Sequence, residues 1–70
     1  MLDQKTKQQL QDKLPKLQTQ LKQQFPGIED RDLQKAQNDP DDFVRAVARK
    51  SGQDESMVER QVQQLVMSGR

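Results

Sequence analysis

The chain of 70 residues contains no cysteine, no histidine, no tryptophan and no tyrosine. The absence of cysteine excludes disulfides and thiolate chemistry, and the absence of histidine excludes imidazole acid–base catalysis and the common transition-metal sites. Because small exported domains usually carry disulfides, a chain without cysteine is more typical of a reducing compartment. No signal peptide is visible, and no segment approaches the roughly 20 apolar residues that a membrane span requires. We therefore expect a cytoplasmic protein.

Hydrophobic residues make up only 30% of the sequence and charged residues 33%, which is close to the composition of chains that do not fold alone. One small domain is the most that such a chain can form. The net charge of +1 conceals an uneven distribution, because residues 1–28 carry five lysines and two aspartates (net +3) and residues 29–42 carry six acidic and two basic residues (net −4). Neither charge is large enough to require a nucleic acid or a membrane surface as partner.

The first clear helical pattern begins near residue 13. From there the large apolar residues follow at spacings of three, four and four, which places them on one helix face: Leu14, Leu17, Leu21 and Phe25. Asp12 is a candidate N-cap, and Pro15 is tolerated because it falls in the first turn. Pro26-Gly27 ends this helix. Residues 1–12 are rich in glutamine and lysine, which favours a flexible polar tail or a weak helical extension.

Three further helices are predicted downstream. The second covers about Glu29 to Gln37 and turns Leu33 and Ala36 inward, with Ile28 packing at its start. The third has the clearest start signal, because an aspartate N-cap precedes a proline at the first helical position, and it ends in basic residues and a glycine. The fourth opens at an Asp-Glu pair and carries apolar residues at i, i+4, i+7 and i+8. The inward positions of the last two helices are Phe43, Val44, Val47, Val58, Val62, Leu65 and Val66, with Met57 flanking the stripe.

No strand pattern occurs anywhere in the chain. The sequence therefore predicts an all-α protein, a small bundle of three to four short helices over residues 13–68, preceded by a flexible polar tail over residues 1–12. The core has about a dozen side chains, which at roughly 1.5–3 kcal/mol per buried aliphatic residue barely offset the chain entropy. A marginally stable fold is expected.

An acidic cluster precedes the third helix and raises the possibility of a metal site. A calcium loop built on Asp39, Asp41 and Asp42 would need a central glycine and a bidentate glutamate near its end. Pro40 lies inside the cluster and no such glycine follows. Helix capping explains these acids better than metal binding.

A second acidic cluster, Glu29, Asp30 and Asp32, raises the possibility of paired catalytic carboxylates. Such pairs need burial or a cleft to separate their pKa values, whereas these residues open a polar helix, where the helix dipole favours acids. There is also no glycine-rich phosphate loop and no serine elbow motif. We therefore expect a protein that is not an enzyme, with no catalytic, cofactor-binding or metal-binding residues and no cofactor.

Five lysines in the N-terminal segment can contact phosphates nonspecifically. No arginine accompanies them, and no aromatic residue is interleaved on which bases could stack. A solvated segment explains these lysines better, so nucleic acid is not expected as a partner.

The leucines of the first helix also match about two turns of a coiled-coil seam: Leu10, Leu14, Leu17 and Leu21. Pro15 would interrupt a coiled coil, which favours an intramolecular core. A marginal monomer gains from pairing, however, so a homodimer or a protein partner bound through the helix faces remains open.

Three segments carry a resemblance to a known family. Residues 25–33 are Phe-Pro-Gly-Ile-Glu-Asp-Arg-Asp-Leu, residues 41–47 are Asp-Asp-Phe-Val-Arg-Ala-Val and precede Ser51-Gly52, and residues 58–62 are Val-Glu-Arg-Gln-Val. The stretch from Leu14 to Leu65 resembles, without a gap, the CsbD-like family of small bacterial general stress proteins. In that family the corresponding segments are a glycine-containing turn with Leu-Thr-Asp-Asp-Asp-Leu, an Asp-x-Leu-x-Gly-x-Ile helix ending in Tyr-Gly, and a last helix with Ala-Glu-x-Glu-Val and a terminal Trp.

The chain departs from the family pattern where leucines replace aromatics and other residues replace two glycines and a tyrosine. These positions are Leu14, Leu17, Leu65, Asn38, Arg45 and Ser51. The resemblance implies a cytoplasmic protein that is abundant under stress and has no established molecular activity. The expected function is therefore that of a noncatalytic small helical-bundle protein associated with the bacterial stress response. The alternative is a helix-mediated protein–protein interaction module, either a small regulator or an adaptor.

Overall fold

The computed structural model describes residues 2–68, which form four α-helices and no strand, so the expected all-α bundle is confirmed. The helices are α1 (Gln4–Gln24), α2 (Asp30–Asn38), α3 (Pro40–Ser51) and α4 (Glu55–Ser68). The longest helix, α1, contacts each of the other three, and α2 packs mainly on α3. The bundle measures 26 × 22 × 21 Å. No helix within the described residues is long and apolar enough to cross a lipid bilayer.

The N-terminal half of α1 differs from the prediction. The helix begins at Gln4, not near residue 13, so residues 4–12 form the helical extension and not a flexible tail. The N-cap is Asp3, whose carboxylate accepts a hydrogen bond from the Thr6 amide at 2.7 Å. Asp12, the predicted cap, lies inside the helix and is exposed. The first residue of the predicted tail, residue 1, lies outside the described residues.

The apolar stripe of α1 is longer than the leucine spacing alone indicated. Leu2, Thr6 and Leu10 follow one another at intervals of four residues, and all three are buried. A threonine at one inward position concealed this continuity in the sequence. The four leucines of the seam-like pattern are 4% exposed or less, namely Leu10, Leu14, Leu17 and Leu21. Their role as intramolecular core is therefore confirmed.

Pro15 lies in the interior of α1 and not in its first turn. Because proline has no amide hydrogen, the carbonyl of Gln11 lacks the usual donor four residues later. Pro15 is exposed, so water can hydrate this carbonyl. The helix continues through the proline, but its hydrogen-bond ladder is interrupted there.

The starts and ends of the other helices follow the predicted signals. Asp39 caps α3 by accepting a hydrogen bond from the Asp41 amide at 3.1 Å, and Pro40 is the first helical residue. Gly52 ends α3 in the left-handed conformation with φ of 71°, which glycine adopts without steric cost. Glu29 is the N-cap residue of α2. Local sequence signals therefore determine the bounds of these helices.

A single apolar core joins all four helices. The predicted inward residues of α2, α3 and α4 are buried except Leu65, which packs at the edge of the core together with Ile28. The buried core residues beyond α1 are Phe25, Leu33, Ala36, Phe43, Val44, Val47, Ala48, Val58, Val62 and Val66.

Candidate interaction surface

Asp32 was expected among the acids that open a polar helix, and its side chain is only 2% exposed. One of its oxygens accepts hydrogen bonds from the Glu29 amide at 2.9 Å and from the Lys50 ammonium at 2.6 Å. Burial opposes the charged form of this carboxyl, but the hydrogen bonds from Lys50 and Glu29 and the charges of Lys50 and Lys35 outweigh it, so the pKa of Asp32 is lowered. The residue therefore joins α2 to the end of α3.

Asp41 is the second buried carboxylate, with a side chain 8% exposed. One oxygen accepts a hydrogen bond from the Leu2 amide at 3.2 Å, and the other pairs with the Lys7 ammonium at 2.7 Å. The hydrogen bond from Lys7 lowers the pKa of Asp41 against the opposing effect of burial. The same hydrogen bond raises the pKa of Lys7. This pair joins the start of α1 to the start of α3.

Every carboxylate of the two predicted acidic clusters has a partner. Beyond the two buried aspartates and the cap at Asp39, the pairs are Asp42 with Arg45 at 2.8 Å, Asp30 with Lys22 at 2.8 Å and Glu29 with Arg31 at 3.2 Å. Within residues 2–68 no group of three or more His, Cys, Asp or Glu side chains could hold a metal ion. The arrangement uses these acids for capping and for ion pairs between helices.

The uneven charge distribution is largely compensated within the molecule. Lys7 and Lys22 of α1 and Lys50 of α3 pair with aspartates of the acidic segment over residues 29–42. The ammonium of Lys13 donates a hydrogen bond to a carbonyl in the last turn of α4 at 3.3 Å, where a cation also complements the helix dipole. Several of the N-terminal lysines therefore have structural partners instead of forming a solvated segment.

The side of α4 that faces away from the core carries the two exposed large hydrophobic side chains of the described chain. Met57 is 46% exposed and Met67 is 72% exposed. Arg60 and Gln64 lie between them and are also exposed, so the four residues follow at spacings of three, four and three. This spacing aligns them along one side of a helix over about 15 Å. We name Met57, Arg60, Gln64 and Met67 the outer face of α4.

A groove of about 330 Å³ adjoins this face between the N-terminal half of α1 and the last turns of α4. Val66 and Met67 supply its apolar wall, and the α1 side carries Lys5, Lys13 and Asp3, with a net positive charge. Methionine side chains adapt readily to different apolar surfaces. The combination of adaptable apolar groups and cations suits an acidic, partly apolar protein surface.

The leucine face of α1 was one of the helix faces left open for a partner. The leucine face of α1 is occupied by the protein's own core, so it is not available for docking in this structure. Among the four residues of the outer face, only Met57 was identified from the sequence, as a residue that flanks the apolar stripe of α4. Met67 was missed, although its position relative to Val58, Val62 and Val66 on a helical wheel places it away from the core.

No protein-family model matches the chain. No curated protein and no solved structure matches it either. The resemblance to the CsbD-like family therefore rests on the residues quoted above.

Proposed function

We propose that this chain is a noncatalytic small helical-bundle protein of the bacterial stress response, cytoplasmic and similar to the CsbD-like family. The supporting observation is that residues carrying the resemblance are also residues that this bundle requires. Asp32 is buried and paired with Lys50, Leu33 is buried in the core, and Gly52 holds the left-handed end of α3. A residue pattern in common with the CsbD-like family at such positions favours the same helical bundle and, with it, a role in the same stress response.

The noncatalytic part of the proposal is supported by the state of the acidic residues. The two buried carboxylates, Asp32 and Asp41, are each paired with a lysine, and both have lowered pKa values. A general acid at neutral pH needs the opposite shift, toward a raised pKa. These carboxylates are therefore suited to holding helices together and not to proton transfer.

The experiment measures the amount of the protein in its native host during exponential growth, stationary phase, osmotic stress and envelope stress. A chromosomal epitope tag and quantitative immunoblotting give the protein level directly. The proposal expects a rise of several-fold in at least one stress condition, and a lower survival of a deletion strain that the wild-type gene restores. A constant protein level in all conditions would refute the proposal.

The second candidate is a helix-mediated interaction module, and the exposure of the outer face of α4 favours it. Met57 and Met67 leave apolar surface in water, although burying it against a partner would be favourable. The partner expected from the neighbouring Lys5, Lys13 and Arg60 is acidic.

A paired experiment tests this second candidate. The variant Met57→Glu with Met67→Glu changes the outer face, and Gln53→Glu, at an exposed position between α3 and α4, is the control for an added negative charge. One stoichiometric partner that binds wild type and Gln53→Glu but not the double variant is the expected result. A protein that sediments as a monomer and retains no such partner contradicts the interaction module.

A further inference from the structure

The start of α1 is tied to the rest of the bundle through one aspartate. Both oxygens of Asp41 are used, one by the Leu2 amide at 3.2 Å and the other by the Lys7 ammonium at 2.7 Å. Asp41 belongs to α3, so these two contacts join chain segments that are far apart in sequence. Loss of this single carboxylate would remove both.

Two more polar contacts hold the same part of α1 on its two sides. The Gln11 side chain donates to the Gln37 carbonyl at the end of α2 at 2.9 Å, and the Lys13 ammonium donates to the Val66 carbonyl in α4 at 3.3 Å. The N-terminal half of α1 therefore lies across the gap between the α2–α3 junction and the last turns of α4. We name residues 2–14 the N-terminal strap.

Pro15 separates this strap from the rest of α1. Because the carbonyl of Gln11 has no helical donor at Pro15, the hydrogen-bond ladder of α1 is weakest at this point. Residues beyond it are anchored independently, since Leu17, Leu21 and Phe25 are buried. The two halves of α1 therefore have separate anchors on either side of Pro15.

The strap also covers the core. Leu2, Leu10 and Leu14 belong to the same apolar cluster as Val62 and Val66 of α4. Leu2, Leu10 and Leu14 are themselves buried, so opening of the strap would expose these three side chains and the core residues that pack against them.

We propose that the N-terminal strap opens as a unit about Pro15 while the remaining bundle stays folded, and that Asp41 is the latch that keeps it closed. This inference does not depend on the stress-response proposal. The folded protein then has two conformations in equilibrium, a closed form in which the core is buried and an open form in which part of the core is exposed.

Hydrogen exchange of the full-length protein at neutral pH, read by mass spectrometry, tests this equilibrium. In wild type, amides of the strap are expected to exchange about 10-fold or more faster than the interior amides of α3 around Val47. Asp41→Asn removes the charge-assisted contact to Lys7 and is expected to accelerate exchange of the strap by a further factor of about 10. Because this contact is also absent from the unfolded state, amides of α3 that exchange through global unfolding are expected to accelerate by a similar factor.

Two further variants are the controls. Asp32→Asn breaks the other buried Asp–Lys pair, which joins α2 to α3 and stays formed when only the strap opens, so it should accelerate the exchange of α3 and leave the exchange rate of the strap unchanged. Pro15→Ala restores a donor for the Gln11 carbonyl across the point where the strap opens, so it should slow the exchange of the strap. A common exchange rate for strap and α3 in wild type would overturn the proposal. Equal acceleration of the strap and α3 by Asp32→Asn, or exchange of the strap in Pro15→Ala that is no slower than in wild type, would overturn it as well.

Discussion

Substitution of Leu10 by alanine tests whether the N-terminal half of α1 belongs to the folded core. Leu10 is 0% exposed and lies in the segment whose composition alone suggested a flexible tail. Removing a fully buried leucine side chain costs about 2–5 kcal/mol of unfolding free energy, through lost transfer energy and the cavity left behind. A bundle of this size has about 3–5 kcal/mol in total, so Leu10→Ala is expected to leave, at 25 °C, a substantial fraction of molecules in which the strap is open or the whole bundle is unfolded.

Urea denaturation followed by circular dichroism at 222 nm measures this loss. Gln8→Ala, at an exposed position of the same segment, is the control and should stay within about 0.5 kcal/mol of wild type. If Leu10→Ala is too unstable to give a folded baseline, Leu10→Met keeps the volume and should cost less than about 1.5 kcal/mol. A Leu10→Ala protein with the same unfolding free energy as Gln8→Ala would refute the packing of this segment.

Three further predictions follow from single features of the structure. The pKa values of Asp32 and Asp41 are lower in the folded than in the unfolded state. The contribution of these two carboxylates to the free energy of unfolding is therefore complete above about pH 5 and is lost as the pH falls through the folded pKa values. Urea midpoints at pH 7, 4 and 3 should therefore decrease in that order, and a midpoint that does not change would contradict the two buried pairs. Gln61→Leu should raise the unfolding free energy by about 1 kcal/mol, because it removes a buried side-chain oxygen that has no hydrogen-bond partner. A lower melting temperature of this variant would show that the oxygen does accept a hydrogen bond in the folded protein. Gly52→Ala should cost about 1–2 kcal/mol through backbone strain alone, since φ is 71° and an added Cβ would meet no atom within 4 Å; an unchanged melting temperature would contradict the left-handed end of α3.

The helices from α2 to α4 could be predicted because their signals are local. Asp39 and Pro40 start α3, Gly52 ends it, and the valines of α4 repeat at the helical period. Each signal acts within one or two turns of the chain, so one sequence contains enough information to locate these helices.

The first half of α1 and the buried aspartates could not be predicted in the same way. Leu2 is held by Asp41, and Asp32 is held by Lys50. Both contacts depend on how the helices pack, and no local pattern indicates which acid will find a cation. Thr6 is buried but polar, so it interrupts the apolar pattern that would have extended the predicted helix toward the N-terminus.

The outer face of α4 illustrates a similar limit for the candidate site. Helical spacing places Met67 on the side opposite the valine stripe, but the groove beside it exists only because α1 passes next to the end of α4. The tertiary position of α1 therefore creates a surface that the sequence of α4 alone does not contain.

The packing of the first half of α1 on α3 and α4 holds the bundle together, and solution NMR of the full-length protein is the measurement that tests this packing. Helical backbone shifts are expected without interruption from residue 4 to residue 24, together with nuclear Overhauser contacts between Leu2 and Asp41 and between Lys13 and Val66. Random-coil shifts over residues 4–12 and no contacts from this segment to α3 or α4 would show that α1 does not pack in this way.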